Sequence, residues 1–388
     1  MALLDLLGEK RLRTREIFIF LVILTVAAAF GLQVWRTLYN NFAVEIVGLN
    51  GLQNGVVQSI REIPGFLALL VIYLLLIIKE HRLAALSVLI MGLGVCLTGL
   101  LPRFYGLIFT TLMMSFGFHY FETLNQSLTL QHFDTRTSPL VFGRLRSLGA
   151  ASNILVGGLV FGLTMVLSFQ SIYLLFGLLV ALFALYCFKM DPVDKNLIPQ
   201  RKGIVIRKEY WLYYTLTCLA GARRQVFVAF AVFLLVKNFE LSVRIITVLF
   251  VVNNVVNYFL SPIIGRAINR FGERKLLSLE YFSLIFIFLT YAFTNSALVA
   301  AIMYILDHIF FNFGIAIRTY FQKIGRKEDI APSMAVGFTI NHIAAVVIPT
   351  IGGWLWLLDH KIPFIAGAVL SLVSLVFTQF IKVKATRP

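Results

Sequence analysis

The stretch "MDPVDKNLIPQRKGIVIRKE", Met190–Glu209, is the widest polar gap in a chain that is otherwise almost continuously apolar. About 17–25 mostly apolar residues suffice to cross a bilayer as a helix. Six such runs fall on each side of the gap. They cover about 17–40, 51–77, 83–101, 104–130, 141–166 and 170–189 before it, and 210–236, 243–268, 276–295, 297–324, 332–357 and 363–382 after it. The expected fold is an all-α membrane protein of twelve transmembrane helices. An N-terminal six-helix bundle would span 1–189, a cytoplasmic loop 190–209 and a C-terminal bundle 210–388.

Composition agrees. Of 388 residues 59% are hydrophobic and only 13% charged, where a soluble domain averages about 45–50% and 25%. The net charge of +16 would suit a nucleic-acid partner, but there is no zinc-finger spacing, no RNP-type aromatic motif and no polybasic run away from the apolar segments. Cytoplasmic basic loops explain it better. With both termini inside, the inner segments hold twenty-three Lys and Arg and the outer loops four: Arg103, Lys237, Arg244 and Lys361. That asymmetry predicts an N-in, C-in topology. Cys96, Cys187 and Cys218 lie inside apolar runs and read as small core residues, with no metal site or disulfide expected. The basic "GEKRLRTRE" before the first run, with Ala27–Ala29 inside it, resembles a signal peptide; the run continues past Ala29 and reads instead as the first span.

The two halves echo each other. Span 5 enters on "DTRTSPLVFG" and runs to Gly157 and Gly158; span 11 enters on "EDIAPSMAVG" and runs to Gly352 and Gly353, about 194 residues later. Parallel six-helix repeats imply a transporter built from two pseudo-symmetric bundles.

Between spans 8 and 9 lies "GRAINRFGERKLL", Gly265–Leu277. It resembles the loop signature of the major facilitator superfamily, Gly-x-x-x-Asp-Arg-x-Gly-Arg-Lys. Gly265, Arg270, Gly272 and Lys275 match, whereas Asn269 replaces the acid and Glu273 the first basic residue. The first-half copy would fall near "LLIIKEHRLAAL", where the glycines are absent. With the spans and the repeat, the resemblance covers the whole chain and implies that superfamily's fold. Gly265 and Gly272 are expected to form a tight turn, and Arg270 and Lys275 to hold neighbouring helix ends as a cytoplasmic gate; positive-inside anchoring alone would account for the charges but not the glycines. A second stretch, "FGRLRSLGA" from Phe142 to Ala150, is similar to lactose-permease-like sugar–proton symporters and would make Arg146 a substrate contact. Glu122 lies too far upstream to be its family partner. The resemblance further implies that spans 1, 4, 7 and 10 line a central cavity.

Ionisable residues inside a bilayer are costly and usually face the bundle interior. Here they stack at helical spacing: Gln33, Arg36 and Asn40 in span 1, and Asn54, Gln58 and Arg61 in span 2 with Glu62 beside them. Span 4 aligns His119, Glu122 and Gln126, and span 7 carries Arg223, Arg224 and Gln225. Span 8 holds Asn253, Asn254, Asn257 and Ser261, and span 10 Asp307, His308 and Arg318. Some have plainer explanations. Arg144, Arg146 and Arg318 can snorkel, the asparagines can bond helices together, Glu62 can neutralise Arg61, and His342 can be packing.

The reading for function is a proton-linked secondary transporter working by alternating access. Expected substrate contacts are Gln33, Arg36, Asn40, Arg61, Arg146, Arg223, Arg224, Asn254, Asn257 and Arg318. Expected proton-coupling groups are Asp307 and Glu122, with His119 and His308 as alternatives. Seven arginines in the spans against the acids Glu62, Glu122 and Asp307 favour an organic or phosphorylated anion, since guanidinium grips such groups bidentately. An uncoupled facilitator or exchanger, or a sugar-type symporter, are the alternatives. No HExxH pair, Gly-x-Ser-x-Gly elbow or aspartate dyad points to an intramembrane enzyme. The expected partners are a small-molecule substrate, protons and the lipid bilayer, with no cofactor, no nucleic acid and a monomeric state. Short loops suggest a bacterial inner membrane.

Overall fold

The computed structural model describes residues 11–193, 197–241 and 243–382. The basic residues Lys10, Lys195, Lys384 and Arg387, counted above as cytoplasmic, lie outside them. Among the described residues, twelve long helical segments follow one another in the expected order. They are α1 (Arg11–Asn41), α2 (Gly51–Phe66), α3 (Glu80–Leu100), α4 (Phe104–His132), α5 (Ser138–Leu163) and α6 (Phe169–Phe188), then α7 (Trp211–Val226), α8 (Val243–Phe271), α9 (Glu273–Phe293), α10 (Ala297–Phe311), α11 (Ile330–Leu358) and α12 (Lys361–Thr378). Among the described residues, ten helices are long and apolar enough to cross a membrane. The other two, α4 and α11, have 29 residues each, or about 43 Å at 1.5 Å per residue. The more polar α4 buries Ser115, His119, Thr123, Asn125 and Gln126.

Four helices are interrupted or extended by irregular turns. A π turn, Phe42–Ile46, extends α1, and another, Phe227–Ala231, carries α7 on to Val232–Lys237. After Pro64, α2 tightens into a 3₁₀ stretch, Leu67–Leu70, because proline removes a backbone donor and crowds the preceding turn. A 3₁₀ turn, Asn312–Gly314, separates α10 from its continuation Ile315–Ile324. Such mid-helix irregularities recur at functional hinges.

The chain forms two compact units. The first holds Met1–Asp134, Leu148–Val205 and Lys327–Val336; the second holds Thr135–Ser147, Ile206–Arg326 and Gly337–Pro388. Within the first, α3 packs on α4 and α6, α1 on α6, and α2 on α4. Within the second, α9 packs on α10 and α12, α7 on α12, and α8 on α10. These are the same pairings shifted by six helices, as an internal repeat requires. Small residues make the contacts close, as expected where lipid removes the hydrophobic drive between helices. A Cβ on Gly177 of α6 would sit 2.5 Å from the Cys96 nitrogen of α3, and one on Gly117 of α4 2.4 Å from the Ser87 carbonyl oxygen.

Candidate functional site

A cluster of deeply buried charge in the second unit gathers on α7, α9 and α10. Arg223, Glu280 and Asp307 are each 3% exposed. Arg223 Nη1 lies 3.6 Å from Glu280 Oε1, and the guanidinium covers the Tyr281 ring at 4.0 Å. Arg223 Nε donates to the Leu219 carbonyl of its own helix at 3.4 Å. Asp307 lies in the electrostatic field of both Arg223 and Glu280. Two carboxylate oxygens here, Glu280 Oε2 and Asp307 Oδ2, are buried without a hydrogen bond. One guanidinium therefore contacts the buried Glu280 carboxyl group, with the buried Asp307 near enough to feel its charge. The π turn Phe227–Ala231 begins four residues after Arg223, and the 3₁₀ turn Asn312–Gly314 five residues after Asp307. The charges thus sit where their helices are least regular.

Glu280 is the residue that sequence reasoning missed. It lies one turn inside the apolar run that begins at Leu276, so position alone could have flagged it. It brings the acids inside the spans to four against seven arginines, which narrows the cationic surplus and leaves its sign.

A second polar group joins α8 to α10. Asn257 contacts His308 Nε2 at 2.8 Å, and Asn312 donates to Asn257 Oδ1. Asn254, one step round α8, turns back to donate to the Phe250 carbonyl at 3.0 Å. Arg146 lies over the Phe311 ring at 5.4 Å, and Arg318 over Phe142 at 5.7 Å. Arg224 is half-buried beside Arg223.

The first unit carries its own cluster. Arg61 pairs with its neighbour Glu62 at 2.8 Å and lies over Trp35 of α1 at 5.6 Å. Trp35 stacks on Tyr39, whose hydroxyl donates to Asn54 Oδ1 at 2.8 Å. On α4, Ser115 donates to the Arg61 carbonyl and contacts His119 Nδ1 at 3.0 Å. Glu122 is half-buried one turn further on. Arg36 and Asn40 are exposed, and Gln33 donates to Thr37 at 3.2 Å. These residues thus divide between the units: Arg61 and His119 meet through Ser115, and Arg223 and Asp307 through their shared field with Glu280.

The gate stretch is more helical than expected. Helix α8 runs to Phe271 and α9 starts at Glu273, so Gly272 alone turns the chain, at φ 80°, where glycine carries no Cβ penalty. Gly265 makes no turn. It sits inside α8, where an added Cβ would lie 2.4 Å from the Pro139 carbonyl oxygen, and it serves close helix packing. Arg270 covers its neighbour Phe271, and Lys275 is exposed. The ties come from the two departures from the signature. Asn269 Nδ2 donates to the Arg136 carbonyl at 2.6 Å, a bond an aspartate cannot donate. Glu273, 2% exposed, pairs with Lys323 at 2.7 Å. Restoring the acid with Asn269→Asp sets two acceptors face to face; at this exposed site a loss of about 1 kcal/mol is expected, read as a lower Tm in detergent.

Residues 14–324 match the family model of the Major Facilitator Superfamily. The chain belongs to that superfamily. Solved structures agree on the fold of this major facilitator protein. The human organic anion transporter MFSD10 (TETRAN) superposes with a TM-score of 0.76 at 12% identity, covering 94% of this chain and 99% of that one. The E. coli fucose:proton symporter FucP gives 0.74 at 15%, covering 95% and 98%. The proton:xylose symporter XylE gives 0.70 at 11%, covering 95% and 96%. No curated protein sequence matches. As a superfamily member the chain is a multi-pass membrane transporter rather than an enzyme.

Proposed function

We propose that this major facilitator protein is a proton-coupled secondary transporter of an organic or phosphorylated anion. The observation that carries the coupling is the buried Arg223 in contact with Glu280 and within the electrostatic reach of the buried Asp307. Ionising both would leave an unbalanced charge in a low-dielectric interior, at a cost of several kcal/mol. Holding one proton balances the cluster. Asp307, on the helix interrupted by a 3₁₀ turn, is the group we assign to load and release it, as Arg223 moves between its two acidic neighbours over the transport cycle. Glu122 and His119 form the corresponding candidate pair in the first unit.

The anion reading rests on the surplus of arginine over acid inside the spans, since guanidinium binds carboxylate and phosphate bidentately. The superposition on an organic anion transporter is in keeping with it. A sugar-type symporter is the second reading, favoured by the superpositions on FucP and XylE. We place the protein in a bacterial inner membrane on its short loops, with both ends on the cytoplasmic side on the charge asymmetry of those loops.

The test uses proteoliposomes with a trapped pH dye. Addition of a substrate anion should move the lumenal pH in step with flux, and organic or phosphate anions should compete where D-xylose and amines do not. Flux without any lumenal pH change would replace coupling with exchange. Competition by D-xylose alone would favour the sugar reading.

A further inference from the structure

The contacts around His308 fix which of its ring nitrogens carries hydrogen. The His308 backbone carbonyl can only accept. Asn312 Nδ2 donates to it at 2.9 Å, so the Asn312 amide is oriented with its nitrogen inward. The other hydrogen of that nitrogen goes to Asn257 Oδ1. With its oxygen so used, Asn257 presents its amide nitrogen to His308 Nε2 at 2.8 Å. An amide nitrogen donates and does not accept, so Nε2 must be the lone-pair nitrogen. The hydrogen of a neutral imidazole then sits on Nδ1. That atom is buried and without a hydrogen-bond partner. The two asparagines that hold the ring are 8% and 0% exposed, so water does not compete for their bonds.

We infer that Asn257 and Asn312 are positioning residues that lock His308 in its Nδ1–H tautomer, making it a fixed neutral donor to an acceptor oxygen of the bound substrate rather than a carrier of the coupled proton. Protonating Nε2 would set two donors 2.8 Å apart, which removes the histidine from the coupling role it shared with Asp307 in the sequence reading. The acceptor class follows from the surroundings. Arg146, over Phe311, is a cation whose field reaches His308, so a carboxylate or phosphate oxygen is the group best stabilised there. A further buried polar atom on the same helix, Asp307 Oδ2, also lacks a hydrogen bond. The polar stretch of α10 therefore has an unmet donor at His308 Nδ1 that an oxygen-rich ligand would meet. The anion class rests on the function proposed above; the tautomer does not.

The experiment is a ring-nitrogen NMR spectrum of purified protein with labelled histidine, assigned by His308→Phe, titrated with inorganic phosphate, succinate and D-xylose. A protonated Nδ1 and bare Nε2 in the wild type, lost or mixed in Asn257→Leu, are expected. An oxyanion should shift the Nδ1 resonance and bind about tenfold to a hundredfold more weakly to His308→Phe. His308→Asn, whose amide nitrogen falls close to the place of Nδ1, should recover most of that affinity. A protonated Nε2 in the wild type, or a ring spectrum that none of the three probes moves, overturns the proposal. Should D-xylose alone move it, the donor role survives and the anion reading fails.

Discussion

Replacing Asp307 by asparagine is expected to abolish gradient-driven accumulation while leaving substrate exchange. The change keeps the shape of a side chain that is 3% exposed and removes its capacity to carry a proton. Asp307 is the carboxyl of the Arg223–Glu280–Asp307 group that does not share the direct 3.6 Å contact with the guanidinium, so its loss leaves Arg223 paired. Coupling of one proton per substrate across one pH unit sustains about a tenfold accumulation, since one unit corresponds to about 1.4 kcal/mol. In Asp307→Asn that ratio should fall to one in proteoliposomes. Counterflow of labelled substrate against unlabelled substrate should continue, because exchange needs no net proton movement. Retention of the wild-type ratio in the variant would remove Asp307 from the coupling step and return it to Glu122 or His119.

The second large effect is on stability. Arg223→Leu leaves the buried Glu280 without its counter-charge, with Asp307 nearby. Breaking a buried ion pair from one side costs about 3–5 kcal/mol, and the lost guanidinium–Tyr281 contact adds about 1–2 kcal/mol. The variant should therefore express poorly or melt well below the wild type in detergent. Glu280→Gln on that background removes the stranded charge and should recover much of the loss. The single Glu280→Gln change should itself be mild, because Asp307 remains near the arginine. The pattern is a strong non-additivity, and a double-mutant cycle on Tm or on denaturant midpoints measures it. Additive effects would mean that Arg223 and Glu280 do not act as a pair. Arg223→Lys gives a useful intermediate: it retains the charge but has no planar face to lie on Tyr281.

The function assigned to Arg223 illustrates how far residue types at helical spacing can be read. Arginine inside an apolar run announces itself, because the cost of burying it demands a partner. The partner does not announce itself. Glu280 stands 57 positions away on a helix whose charge-bearing end blends into the basic turn before it, and only the rotation of α9 against α7 directs it at the guanidinium. Asn312 is similar. In the sequence it is one polar residue among several in span 10; in the structure it is fully buried and starts the hydrogen-bond chain that orients His308. The gate stretch shows the converse error. Its two glycines look equivalent because they flank the same basic turn, yet one turns the backbone and the other admits a neighbouring helix.

Hydropathy, the mid-chain polar gap and the echo of span 5 in span 11 suffice by themselves for the order of the helices, for a membrane protein and for the internal repeat. Those properties depend on local free energies of transfer and on backbone hydrogen bonds made within one segment, so each run of sequence carries them alone. Which buried acid faces which arginine, which glycine turns and which packs, and which nitrogen of His308 bears hydrogen are matters of contact between segments far apart in the chain. They were decided by helix rotation and close approach in the tertiary structure, because an interaction of a few ångströms depends on the relative register of two helices that neither helix encodes alone.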